Sequence, residues 1–345
     1  MRRMFLYAMI LVCLLTSCEK ILIGPVEKNT PENNFEILWH EFDRSYALFD
    51  VKKVDWNAMY NKYRPMVKSN TSNDELWNII TQMLETLKDP HTVLFDITPS
   101  KYYVSGHNDF RNMEDFSLNV VINNYLGQEF SQNSNGYLVY GHVPGHSIGY
   151  LYIASFGSDD KWPKDIDAII ENLSAYKTLI VDIRANGGGP TWNNQYLISA
   201  FIDHKIEYIK WKSRSGPQHN DFESPTILSV EPRKGKKQFT GNIALLTNRY
   251  SGSSSDHFTY VLKNLPNVVQ IGDTTVGNFG TMSNGRQLPN GWTYNFTARL
   301  ATRMDDVALD SLGGQVPDIL IINKKINIQA GQDKVMEKAI EILSK

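Results

Sequence analysis

The chain has 345 residues, 35 basic and 37 acidic side chains, a formal charge of −2 and two cysteines. A near-neutral balance leaves no electrostatic footprint for nucleic acid, and the one basic cluster, Arg233, Lys234, Lys236 and Lys237, encloses Gly235 and reads as a solvated turn. Both cysteines, Cys13 and Cys18, lie near the N-terminus. The rest of the chain therefore holds no disulfide and no thiolate metal site, and needs an ordinary core, for which its length suffices.

Arg2 and Arg3 precede an uncharged apolar run, residues 4–15. It is shorter than the roughly 20 residues that span a bilayer and fits the apolar region of a secretory signal. It ends in Leu15-Thr16-Ser17-Cys18, which resembles the bacterial lipobox. The expectation is a signal peptide over 1–17, a lipidated Cys18, a polar tether over 18–33, and residence in the bacterial cell envelope as a membrane-anchored lipoprotein. Residues 34–95 carry helical spacing, with Phe35, Leu38, Trp39 and Phe42, then Leu76, Ile79, Ile80, Met83 and Leu84, and predict a small helical bundle. Ser72 or Asn73 caps its second long helix. Residues 96–146 are Gly-, Asn- and Tyr-rich with short extended runs such as 117–122 and 137–140, and read as a short β connector.

Beyond residue 147 strands and helices alternate. Strands are expected at 148–153, 178–183, 243–247 and 268–271, and helices at 164–173, 192–202 and 256–265. This β-α alternation predicts an α/β layered core over 147–324, closed by one C-terminal helix in 325–345. Residues 178–183 are nearly all apolar, as in a strand buried on both faces.

Two loops stand out. Asp182-Ile183-Arg184-Ala185-Asn186-Gly187-Gly188-Gly189 follows a buried strand, and glycines there leave backbone amides free to face an oxyanion. Ser251-Gly252-Ser253-Ser254-Ser255-Asp256 sits between a strand and a helix, where the helix dipole favours negative charge. Taken alone, the first is equally well a flexible turn and the second an ordinary N-cap.

Together these loops resemble the core of the tail-specific and tricorn protease superfamily. Gly272-Asp273-Thr274-Thr275-Val276-Gly277 is similar to the family's G-x-x-T-x-G, and Gly314-Gln315-Val316-Pro317-Asp318 to its closing G-[IV]-x-P-D, Gln315 departing at the apolar place. The resemblance implies a crotonase- and ClpP-like layered α/β fold and a serine-type endopeptidase with Ser253 as nucleophile and the amides of Gly188 and Ser254 as oxyanion donors. No cofactor or metal is implied, and the partner is a protein or peptide substrate. In the tail-specific branch the base is a lysine, but its position here is Asn278. In the tricorn-like branch it is a histidine, and Leu87-Lys88-Asp89-Pro90-His91-Thr92 is similar to that branch's L-x-D-x-H-[ST] segment, so the resemblance assigns the base to His91. His257, on the first turn after Ser253, is the rival.

Two departures follow. The tricorn-like orienting glutamate falls at Ser311, leaving the neighbouring Asp310 as its substitute if the loop shifts, and the serine before the base is Pro90. The tail-specific PDZ-like domain has only about fifty residues in its place, too few for a full one. Competing readings are a catalytically weakened ligand- or peptide-binding lipoprotein on the same fold, and another acyl hydrolase. The neighbours Ser251 and Ser255 are expected to be replaceable.

Overall fold

The computed structural model describes residues 28–98, 100–106, 113–157 and 159–345. The expected signal peptide, Cys18, most of the tether and His107 lie outside these residues.

The first helix, Pro31–Ser45, starts within the stretch expected as tether. Thr30 accepts the Asn33 amide at 3.2 Å, and Pro31 occupies the first helical position, where a missing N–H costs nothing. The proline thus starts a helix instead of marking a linker. Helices Phe49–Lys52, Trp56–Tyr63 and Asn73–Glu85 follow, the last opened by a capping box between Ser72 and Glu75. Their stripes (Phe35, Phe42, Trp56, Leu76, Ile80) do not close on themselves. They pack on Leu288, Trp292, Tyr294 and Phe296 from far along the chain.

Those partners lie in or directly beside a four-stranded sheet in which β1 (Val93–Asp96) lies between β2 (Lys101–Val104) and β13 (Thr293–Asn295), with β12 (Arg286–Gln287) at the edge. The helical layer is therefore completed by strands that the sequence pattern did not reveal.

The main sheet has seven strands, in the order β15 (Ile319–Leu320), β10 (Val268–Gly272), β9 (Asn242–Thr247), β6 (Thr178–Asp182), β5 (Ile148–Ile153), β4 (Leu138–His142), β3 (Phe130–Gln132). The first five run parallel, and β4 and β3 antiparallel. Alternation divides its residues between two cores. Leu179, Val181, Ile243 and Leu245 face helices Ile166–Leu173, Thr191–Ile198 and Ser254–Lys263, while Ile180, Ala244, Leu246 and Ile271 face Val335, Met336 and Ala339. Residues 96–146 are thus more than a connector, because they supply two strands of the core sheet. Within them the run expected as extended, 117–122, is the helix Leu118–Tyr125. A third sheet orders β11 (Thr281–Met282), β14 (Thr297–Thr302), β7 (Ile206–Ser213) and β8 (Thr226–Val230).

The C-terminus carries two helices, Lys325–Gln329 and Lys334–Leu343, where one was expected. Gly331, at φ 73°, breaks between them, in a conformation that L side chains avoid. Asp333 caps the second, accepting the Met336 amide at 3.1 Å. Its carboxylate also receives two bonds from Arg184 Nη1, at 2.9 and 2.8 Å, while Arg184 Nε and Nη2 grip Asp182 at 2.9 and 2.6 Å.

Candidate active site

Parallel strands leave their loops at one edge, and clefts form outside the carboxyl ends. The loops after β6 and β9 meet there. Ser253 has φ 55° and ψ −118°, and the Ser255 amide donates to Gly252 O at 2.9 Å. This is a type II′ turn with serine at the position glycine normally takes, a strain of roughly 1–3 kcal/mol that its surroundings must hold.

They do so through a set of short bonds. Ser253 N–H donates to Asn278 Oδ1 at 2.7 Å, so the residue at the expected lysine position clamps the Ser253 backbone. Ser251 Oγ donates to Ile183 O at 2.9 Å, Ser255 Oγ to Asn186 O at 2.7 Å and Ser254 Oγ to Gly189 O at 2.6 Å. Ser251 and Ser255, expected to be replaceable with small loss, thus both bond the backbone of the glycine-loop segment. Both are fully buried struts between the two loops, and the carbonyls they bond also accept the backbone amides of Asn186 and Gly252, each at 3.1 Å. Asp256 holds the other side, accepting the Gly277 and Asn278 amides at 3.0 and 3.1 Å. Burial pushes its carboxyl up to about 6 against those bonds and that of Thr275.

His91 reaches Ser253 from the far side of the molecule. Its Nε2 lies 3.2 Å from Ser253 Oγ across 162 residues of chain. The side chain is buried at 3% exposure, in the turn that links helix Asn73–Glu85 to β1. Asp89 Oδ1 accepts the His91 backbone amide at 3.0 Å, and Asp89 Oδ2 accepts the hydroxyls of Thr92 at 3.1 Å and Thr297 at 2.8 Å. Thr297 Oγ1 also stands 3.4 Å from His91 Nδ1. Burial lowers the His91 pKa below its usual 6.5, the Asp89 charge opposes this, and Lys52 adds to it. The imidazole is therefore neutral at neutral pH and can accept a proton.

The glycine loop presses against the turn. A Cβ at Gly188 would meet Ser253 Cβ and Gly252 O at 2.7 Å, so only glycine allows the approach. The Gly188 amide, expected to face an oxyanion, instead donates to Asn186 Oδ1 at 2.9 Å. The Ser254 amide opens the helix Ser254–Lys263, where no intrahelical acceptor exists.

The expected orienting pair does not reach His91. Ser311 is exposed and donates to Ala308 O at 2.6 Å. Asp310 is buried, with Oδ1 accepting the Phe279 amide at 3.0 Å and Oδ2 unpartnered. Burial, then the Asp89 charge, push its carboxyl up to about 7. His257 bonds Phe279 O through Nε2 at 2.8 Å and is held down to about 4 by burial, which occupies the rival base inside the core. Sequence reasoning missed Thr297 and the carboxylate of Asp89, since a lone threonine carries no spacing signal and only packing brings it to the histidine. Among the described residues no group of three or more His, Cys, Asp or Glu could hold a metal ion, and no helix is long and apolar enough to cross a membrane.

The model of peptidase family S41 matches residues 147–321, and that of the tricorn protease C1 domain residues 27–85. The carboxy-terminal processing protease CtpB of Bacillus subtilis is 26% identical over 157 residues, 45% of this chain and 30% of that protein. The tricorn protease of Thermoplasma acidophilum is 28% identical over 198 residues, 57% of this chain and 17% of its own length. The matches thus span less than a third of these curated relatives. A Parabacteroides merdae protein solved as a candidate peptidase superposes with a TM-score of 0.81 at 30% identity, over 92% of this chain and 98% of that one. Mature CPAF shares the fold, with a TM-score of 0.68 at 12% identity over 91% and 96% of the two chains. A family match over half the chain, and this near end-to-end superposition, make the protein a member of peptidase family S41.

Proposed function

We propose that the protein is a serine-type endopeptidase in which Ser253 attacks the scissile carbonyl and His91 is the general base. The observation that carries this is the 3.2 Å contact between Ser253 Oγ and His91 Nε2, with the imidazole kept neutral by burial. Ser253 passes its proton to Nε2 as it attacks, and the imidazolium returns it to the leaving amine. The Ser254 amide faces the developing oxyanion, and the Gly188 amide joins it by exchanging Asn186 Oδ1 for the substrate oxygen. Such a donor is worth roughly 2.7–4 kcal/mol in serine proteases. The internal bond of Gly188, and Ser311 and Asp310 bonding away from His91, favour a binding protein on the same fold.

A fluorophosphonate probe separates the two readings. Ser253 labels in the wild type and Ser253→Ala does not, with hydrolysis of casein or a peptide library lost in the variant. A folded wild type that never labels leaves the binding reading standing. kcat/KM rises with pH through a midpoint below 6.5 and then levels off, because His91 must be neutral to act. A rise at the higher pH of a lysine sinks the histidine assignment. The substrates are exported proteins or peptides, met at the cell envelope through lipid on Cys18. Mass spectrometry of membrane-extracted protein tests the anchor, and an unmodified Cys18 refutes it.

A further inference from the structure

We infer that Thr297 and Asp89 together form the orienting arm of His91, in place of the glutamate that Ser311 has lost. This rests on the Ser253–His91 reading and deepens it. The geometry is a continuous chain. Ser253 Oγ lies 3.2 Å from His91 Nε2, His91 Nδ1 3.4 Å from Thr297 Oγ1, and Thr297 Oγ1 2.8 Å from Asp89 Oδ2.

Hydrogen-bond polarity runs one way along this chain. Asp89 is 1% exposed and, as a carboxylate, only accepts. The Thr297 hydroxyl must therefore give its proton to Asp89, and its remaining lone pairs can only accept. His91 Nδ1 must then be the donor, which leaves Nε2 with the lone pair that takes the Ser253 proton. The tautomer required for catalysis is thus selected by a carboxylate one hydroxyl away. No proton passes along the arm. On attack the Ser253 Oγ–H proton moves to Nε2, Nδ1 keeps its own, and Asp89 goes on accepting from the intervening Thr297 hydroxyl, which stabilises the imidazolium.

The arm is also rigid. Asp89 bonds the backbone of His91 itself at 3.0 Å, and Thr297 is tied through its carbonyl to the Ala47 amide at 3.0 Å. Three elements therefore fix the ring: the turn at 89–92, strand β14, and the junction between the first two helices. The other charged or titratable groups that act on His91 or Asp89 are Lys52, His257, Tyr46 and Asp310, and none of their side chains is hydrogen-bonded to Nδ1.

The test uses Thr297→Val, Thr297→Ser and Asp89→Asn in the full chain, scored by the rate of fluorophosphonate labelling at Ser253 across pH, with a thermal melt of each. Valine keeps the shape of threonine and removes the hydroxyl. Thr297→Val is expected to label roughly 10²-fold more slowly, within the limit set by loss of the orienting group in serine proteases, and Thr297→Ser is expected to restore most of the rate. Asp89→Asn is expected to slow labelling and move the acid-limb midpoint down, because the charge that favours the imidazolium is gone. A merely structural role would leave that midpoint in place. If the wild type labels and Thr297→Val labels as fast, or Asp89→Asn folds with an unmoved midpoint, the inference is overturned. If the wild type does not label at all, the Ser253–His91 reading falls and takes the arm with it.

Discussion

Two groups of buried charges in this protein are built on opposite plans. Around Arg184 every charge is matched. The guanidinium spreads its donors over Asp182 and Asp333 and lies 4.4 Å over the Phe116 ring. Burial alone would raise the Asp333 carboxyl, yet Arg184 holds it below the ordinary range. Around Ser253, Asp256 and Asp310 have no ion pair among the described residues, and burial pushes them up to about 6 and 7. Lys52, whose charge acts on Asp310, donates its ammonium to the Lys88 carbonyl at 3.1 Å. Matched charges lock a loop to a helix, whereas unmatched ones are costly to keep and gather where chemistry is performed.

The contrast can be broken at its strongest point first. Arg184→Leu strands two carboxylates in the core and should cost about 3–5 kcal/mol, lowering Tm by roughly 10 °C. The protein that remains folded should keep its labelling rate at Ser253. A melt unchanged by this substitution would show that the triad contributes no net stability.

Asp310→Asn should act in the reverse direction and more weakly. The folded pKa of Asp310 is raised to about 7 from an ordinary 3.8. The stability it contributes is therefore complete below pH 3.8 and lost as pH rises through 7. Asparagine escapes that loss while its Oδ1 still accepts the Phe279 amide. The variant should be about 1–3 kcal/mol more stable than wild type at pH 8 and indistinguishable near pH 4, as read by denaturant melts at the two values. A loss of stability at pH 8 would mean that Asp310 carries a needed negative charge.

Much of this arrangement was legible beforehand, for physical reasons. Strands β5, β6, β9 and β10 are buried on both faces, so their apolar runs announce them. The Ser253 and Gly188 loops lie where such strands end. The third sheet went unread because β7, Ile206–Ser213, intersperses lysines with aromatics and shows no regular alternation of buried and exposed residues. The helix Leu118–Tyr125 was mistaken for a strand although Leu118, Val121, Ile122 and Tyr125 keep helical spacing. Of the orienting residues, Ser311 came from a position in a motif, whereas Thr297 comes from packing between segments 206 residues apart. Short motifs report the backbone of a site well and report poorly the side chains that several elements bring together.

The long reach of His91 has a consequence for how the molecule comes into being. Its contacts with Ser253 and Thr297, and that of Asp89 with Thr297, span 162, 206 and 208 residues. Loop closures of that size are entropically expensive and form late, after local helices and neighbouring strands. Under the proposed mechanism, a chain halted with its sheet formed and its first helices undocked holds Ser253 in its clamped turn but without His91. In that reading the pair of Ser253 and His91 is completed only when the first helices dock, which ties any activity to the finished fold.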